Sequence, residues 1–265
     1  MKQKRGLRPE ERTAKTAFRL VSELARKRGL PFPETEAALC ADRELLEHCI
    51  DALLADELCA AGLDGNDRPN EYGLQLEQAI DYYNRFRCCA ECFYFDEVLR
   101  DCEAGFQWDR ALTHLEALYA GGRDRSVLCS LIGFSWFYLV EGPVVSRRYG
   151  DDPNSHALRV WKRYLDVAAR EAADDPRVLF LAGYTLSLHG FWIDAAHEQT
   201  GHSYMERCAR MADEPLLQQL AEHFLQNERA CKYTPLQNGP AIAAALFPGD
   251  SLTDGYFREI YGAHP

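Results

Sequence analysis

Four cysteines and three histidines are the residues of this chain whose types and spacing come nearest to metal or nucleophilic chemistry. Cys88, Cys89 and Cys92 lie together, and Cys102 follows ten residues on. A structural zinc needs four nitrogen or sulfur ligands in a tetrahedral array, and a Cys-x2-Cys pair is half of one. The second pair is missing; His48 or Cys59 would have to be delivered by the tertiary fold. On a helix, Cys88, Cys89 and Cys92 share a face and pack as small hydrophobes. His197-Glu198-Gln199-Thr200-Gly201-His202 places two histidines five apart. The zinc-protease helix needs them four apart, one turn, so that both aim at the metal. At five they diverge by about 140°. His189 is near enough in sequence to be a third ligand, and a metal-dependent hydrolase would rest on this set alone. A cysteine nucleophile wants a paired histidine and a strand-turn or glycine-flanked elbow, and no such pattern occurs. There is no phosphate-binding Walker loop and no Gly-x-Gly-x-x-Gly. The expectation is therefore no catalytic set, no metal and no cofactor.

The elements that would position a site are easier to read. Ala169-Arg170-Glu171-Ala172-Ala173-Asp174-Asp175-Pro176 recurs, one residue shorter, as Ala209-Arg210-Met211-Ala212-Asp213-Glu214-Pro215. Each is the end of an amphipathic helix, an acidic pair and a proline that opens another helix. Such units roughly 40 residues apart mark stacked helical hairpins. Stacked hairpins present a surface to a partner more readily than they build a catalytic pocket.

Charge is unevenly spread. The chain of 265 residues has a formal net charge of -11. Residues 1–30 hold ten Lys and Arg against Glu10, Glu11 and Glu23, which is +7 and leaves the remainder at -18. An acidic body repels nucleic acid and favours basic partners. The basic leader reads as a solvated tail and first helix face. No apolar run approaches the ~18 residues that cross a bilayer, so no membrane role is expected. No apolar segment follows the basic start as in a secretory signal. Ten cysteines then read as reduced thiols, and a cytoplasmic protein is expected.

Along the chain, Ala14, Ala17, Phe18, Val21, Leu24 and Ala25 form one helical stripe that Gly29-Leu30-Pro31 stops. A short helix is predicted over Glu34–Cys40. Asp42 is placed to cap the next helix, whose stripe is Leu45, Leu46, Cys49, Ile50, Leu53, Leu54 and Leu58. Cys59–Leu63 and Glu71–Leu74 flank the breaker-rich turn Asp64–Asn70, which predicts a two-strand hairpin before a further helix. Three helices followed by a hairpin resemble a winged helix, over residues 10–87. In that family the third helix reads DNA with Arg, Lys, Asn or Gln. Here the helix offers Glu44, Glu47, Asp51, Asp56 and Glu57, which oppose phosphate. A winged helix kept for protein contact is the reading adopted; a winged-helix transcriptional regulator with a helical sensor is the alternative.

Long helices follow. Trp108, Leu112, Leu115 and Leu118 make a stripe ending at Gly121-Gly122. Ser126–Val140 is almost continuously apolar and reads as a buried central helix ended by Glu141-Gly142-Pro143. Helices are predicted after the polar loop 146–155, from Pro176 to Gly190, over Ala195–Ala212, from Pro215 to Gln226, and in the tail near Ala241–Leu246 and Asp254–Tyr261. The hairpin period and the Ala/Pro pattern of residues 95–230 resemble a tetratricopeptide-like array. The fold expected is mostly α, with a winged-helix-like domain at 1–87 and a helical repeat-like domain at 88–265. The function expected is non-catalytic protein binding, of an immunity or antitoxin type that masks a basic toxin. Its partner-binding residues would be Asp151, Asp152, Asp174, Asp175, Asp213 and Glu214.

Overall fold

A computed structural model describes residues 9–87, 92–146, 156–211 and 214–262, with the side chains of 9–12 and 141–146 outside the description. Helix dominates, and no strand occurs among the described residues. No helix among them is long and apolar enough to cross a membrane. Two compact units are present. The first comprises Met1–Cys89, Pro235–Pro248 and Tyr261–Pro265; the second comprises Ala90–Thr234 and Gly249–Ile260.

The first unit is built from α1 (Pro9–Lys27), α2 (Glu36–Ala41), α3 (Arg43–His48), α4 (Ala55–Glu57), α5 (Glu71–Arg87) and α13 (Gly239–Leu246). Ala14, Ala17, Val21, Leu24 and Ala25 of α1 are buried, as their spacing requires. Gly29 at φ +68° takes the left-handed conformation that releases the chain from α1. Thr35 caps α2 and Asp42 caps α3, each accepting from the amide three residues on, at 3.2 and 3.0 Å. The third helix does not keep one pitch. It widens into π-helical turns at Cys49–Leu54 and again at Leu58–Gly62. Leu46, Cys49, Ile50, Leu53 and Leu54 nevertheless all face inward. Tail helix α13 is apolar and packs on α2.

The predicted two-strand hairpin is corrected. Residues 58–62 remain helical, and pairing is reduced to a single antiparallel bridge between Leu63 and Pro69. The reason is local. Asp64 folds the turn on itself by accepting from the Asn66 and Arg68 amides. Asn70 caps α5 by accepting from the Gly73 N–H at 2.9 Å, so the chain re-enters helix at once.

The second unit holds α6 (Glu97–Ala104), α7 (Trp108–Gly122), α8 (Arg125–Ser146), α9 (His156–Glu171), α10 (Pro176–His189), α11 (Ala195–Cys208), α12 (Pro215–Ala230) and most of α14 (Leu252–Gly262). The predicted stop at Glu141-Gly142-Pro143 is also corrected, because α8 runs on to Ser146. Pro143 forfeits one backbone hydrogen bond near the end of α8, and the helix carries that single loss for three further residues. Helix α10 is the axis of this unit. Its residues Val178–Ser187 are buried, and it packs against α8, α9, α11 and α12. Tyr184 on α10 gathers the rings of Trp136, Phe180, Phe224 and Phe257, and its hydroxyl lies 3.1 Å from that of Tyr256. Tyr256 and Phe257 bring α14 into the same core.

Helices α10 and α11 approach so closely that glycine is required between them. A methyl on Gly183 would sit 2.9 Å from the Met205 backbone nitrogen, and one on Gly201 would overlap the Ser187 backbone nitrogen. Gly121, at the end of α7, has nothing within 4 Å of such a methyl. Gly201→Ala is therefore expected to destabilise the protein by about 1–3 kcal/mol, the cost of forcing extra volume between packed backbones. Gly121→Ala should be neutral or stabilise by up to about 1 kcal/mol, because alanine holds helix better. Urea unfolding followed by circular dichroism measures both; equal effects would contradict the packing.

Candidate functional site

The two near-repeats end side by side. Arg207, near the end of α11, donates to the Ala173 carbonyl at 2.5 Å, in the turn between α9 and α10. The Cys208 thiol lies 3.4 Å from the Pro176 carbonyl, and burial first, then the charges of Asp175 and Glu214, push its pKa up to about 12. The turns at 172–175 and around 214 thus share one edge of the second unit.

The carboxylates on that edge have different duties. Asp174 is exposed. Asp175 is only 13% exposed and is the N-cap of α10, accepting from the Arg177 and Val178 amides. Its other oxygen takes the Arg177 guanidinium at 2.9 Å. Arg177 is itself 16% exposed and reaches the Ser126 hydroxyl at the start of α8. Burial would lower the Arg177 pKa, but the Asp175 hydrogen bond and charge outweigh it and raise it. Glu214 is half-buried at the N-cap position of α12. Asp151, Asp152 and Asp213 lie outside the described residues. Glu171, at the end of α9, pairs with Arg123 at 3.0 Å. The edge is a mixed one, in which arginines engage some of the acids and Asp174 faces water.

The histidines of the sequence's metal-like set each turn to a different partner. Cys92 and Cys102 are buried, and burial raises the Cys102 thiol pKa; Cys88 and Cys89 lie outside the described residues. His197 turns to Asp194 at 2.8 Å, and His202 to Glu228 of α12 at 3.3 Å. His189 accepts from the Trp136 indole at 3.0 Å, and burial lowers its pKa, so it sits as a neutral acceptor. Among the described residues, no group of three His, Cys, Asp or Glu could hold a metal ion.

Two charged arrangements escaped the sequence reading because their partners are far apart in the chain. His156, the first residue of α9, lies with Nδ1 3.2 Å from Asp109 and Nε2 3.4 Å from Glu116. Asp109 and Glu116 are seven residues apart on α7, and that same-face spacing was the available signal. Arg163, two turns along α9, also reaches Glu116. Asp96 caps α6, accepts from Tyr94 at 3.0 Å and meets His114 at 2.8 Å. Burial alone would raise the Asp96 carboxyl. The hydrogen bonds from His114, the Leu99 amide and Tyr94 outweigh it and hold the carboxyl below its ordinary value.

In the first unit, Asp51, Asp56 and Glu57 of the third helix are engaged by nearby cations. Arg87 grips Asp51 through two bonds of 2.8 and 2.9 Å, Arg28 reaches Asp56 at 3.4 Å and Lys27 reaches Glu57 at 4.0 Å. The basic end of α1 is thereby turned toward its own chain.

Asp175→Ala removes a cap and the anionic partner of a largely buried guanidinium, so it should cost about 1–3 kcal/mol. Asp174→Ala should stay within about 0.5 kcal/mol. Thermal unfolding of the two variants side by side checks this, and equal losses would contradict the assigned roles.

The chain matches no protein-family model, no curated protein and no solved structure.

Proposed function

We propose that this chain is a non-catalytic protein-binding protein that engages a basic partner through the turn edge of its second unit. The observation that carries the reading is the juxtaposition of the two near-repeat turns, tied by the Arg207–Ala173 bond, with Asp174 facing water. Stacked helical hairpins place their connections along one edge, so an edge made from repeated turns is a natural contact surface. The -18 balance of residues 31–265 supplies long-range attraction to a basic protein. A concrete form is an immunity or antitoxin-type protein masking a basic toxin in the cytoplasm. In this reading residues 1–87 are a winged-helix-like module whose wing is reduced to the Leu63–Pro69 bridge, retained for protein contact, and the repeat region is a tetratricopeptide-like array.

Asp175 acts inward as the α10 cap, so the contact rests on Asp174 and Glu214, joined by Asp151, Asp152 and Asp213. Single exposed charges contribute little. Changing Asp151, Asp152, Asp174, Asp213 and Glu214 together to Asn or Gln, with Asp175 kept, should slow association with the purified partner about tenfold at 50 mM salt. The difference should shrink toward 300 mM, where screening hides the charges of both forms. A rate flat across salt, or the same in both forms, would contradict charge steering. Selection from random duplex DNA that returned one tight consensus would put a winged-helix regulator in its place.

A further inference from the structure

A small cavity in the second unit, apolar over most of its wall, is not used by the proposed contact. Glu103 of α6, 8% exposed, accepts the Leu252 N–H through Oε2 at 3.0 Å and so holds the first turn of α14. Its Oε1 is buried without a hydrogen-bond partner among the described residues, and so is Oγ1 of Thr253, which is 2% exposed. Both residues line one cavity of about 10 Å³, with Ser130, Phe134 and Leu115 on its other walls. That is room for about one water molecule. Two orphaned polar atoms at one cavity of that size need a shared partner, since each left unpaired would cost about 1–3 kcal/mol.

We propose that Glu103 and Thr253 share a single bound water in this cavity, and that Glu103 in its protonated form is the latch holding the start of α14. The protonated carboxyl donates from Oε1 to the water, the water donates to the Thr253 hydroxyl oxygen, and Oε2 goes on accepting from Leu252. Loss of the proton leaves a buried carboxylate beside Asp254, which is 2% exposed, accepts from the Ser251 hydroxyl and donates its own N–H to that oxygen. Asp254 is the titratable group of α14 whose charge bears on Glu103; α7 and α8 face the cavity with the uncharged Leu115, Ser130 and Phe134, and the segment before α6 with Tyr94. Burial, and then the charge of Asp254, push the Glu103 carboxyl up to about 7 against the Leu252 hydrogen bond. The folded state therefore binds this proton more tightly than the unfolded chain, whose carboxyl has its ordinary value of 4.5. The stabilisation is full below about 4.5 and is lost as pH rises through about 7.

The test is a carbon-13 titration of glutamate carboxyls in the full chain, with Glu103→Gln assigning the resonance. Alongside it, amide exchange at Leu252–Gly255 is followed, corrected for intrinsic rates. Glu103 should titrate about two units above an ordinary glutamate. Thr253→Val, which removes the water's second partner and so weakens the hydrogen bond that favours the protonated carboxyl, should move it down toward the ordinary value. Protection of the Leu252 amide should fall about tenfold from pH 6 to pH 8, and that fall should vanish in Glu103→Gln. Titration between 4 and 5 in the unaltered protein overturns the proposal without any substitution. So does a titration that Thr253→Val leaves unchanged, or an amide protection indifferent to pH.

Discussion

The contact between α10 and α11 is the constraint on which the second unit depends. Gly183 and Gly201 let two backbones meet at a distance that no side chain permits. Gly190 makes a third close approach at the far end, where a methyl would lie 2.6 Å from the Glu198 backbone nitrogen. With α11 held against it, α10 has almost no solvent-facing side, which is why its sequence is apolar on every face. Tyr184 can then serve as the shared partner of rings from α8, α12 and α14, because a buried aromatic contributes both area and edge-to-face geometry.

The turn edge follows from that packing. Two antiparallel helices in register must bring the turn before α10 beside the turn after α11, and the Arg207–Ala173 bond ties them. Charged residues at such a place serve two ends. Asp175 faces inward, where the exposed amides at the start of α10 and the Arg177 guanidinium complete it. Asp174, one residue earlier, has the opposite orientation and stays in water. The polarity of an acidic pair before a proline is thus divided between folding and surface.

Sequence patterns revealed helices and caps because both are local. The stripes of α1, α7 and α9, the Asp42 cap and the Pro176 start all rest on interactions within a few residues. The hairpin was misread because Asp64 and Asn70 carry turn chemistry that serves a strand pair or a helix restart equally well, and tertiary packing chose the latter. The end of α8 was misread because one proline removes a single backbone bond and does not by itself end a helix. Of the candidate site, the acidic turns were visible as near-repeats, but the inward role of Asp175 was hidden until Arg177 and Ser126 were placed around it. Glu103 and His114 gave no signal, since Leu252 and Asp96 reach them only through the tertiary fold, and for His156 only the Asp109 and Glu116 spacing on α7 was visible.

The central claim is that the turn edge of the second unit is the contact surface for a basic protein. Cross-linking in the source cell, with the linked positions mapped by mass spectrometry, tests it most directly. Links to one basic protein clustered at 171–177 and 207–214 are the predicted result. Links to an acidic protein, or links confined to the first unit, would contradict it.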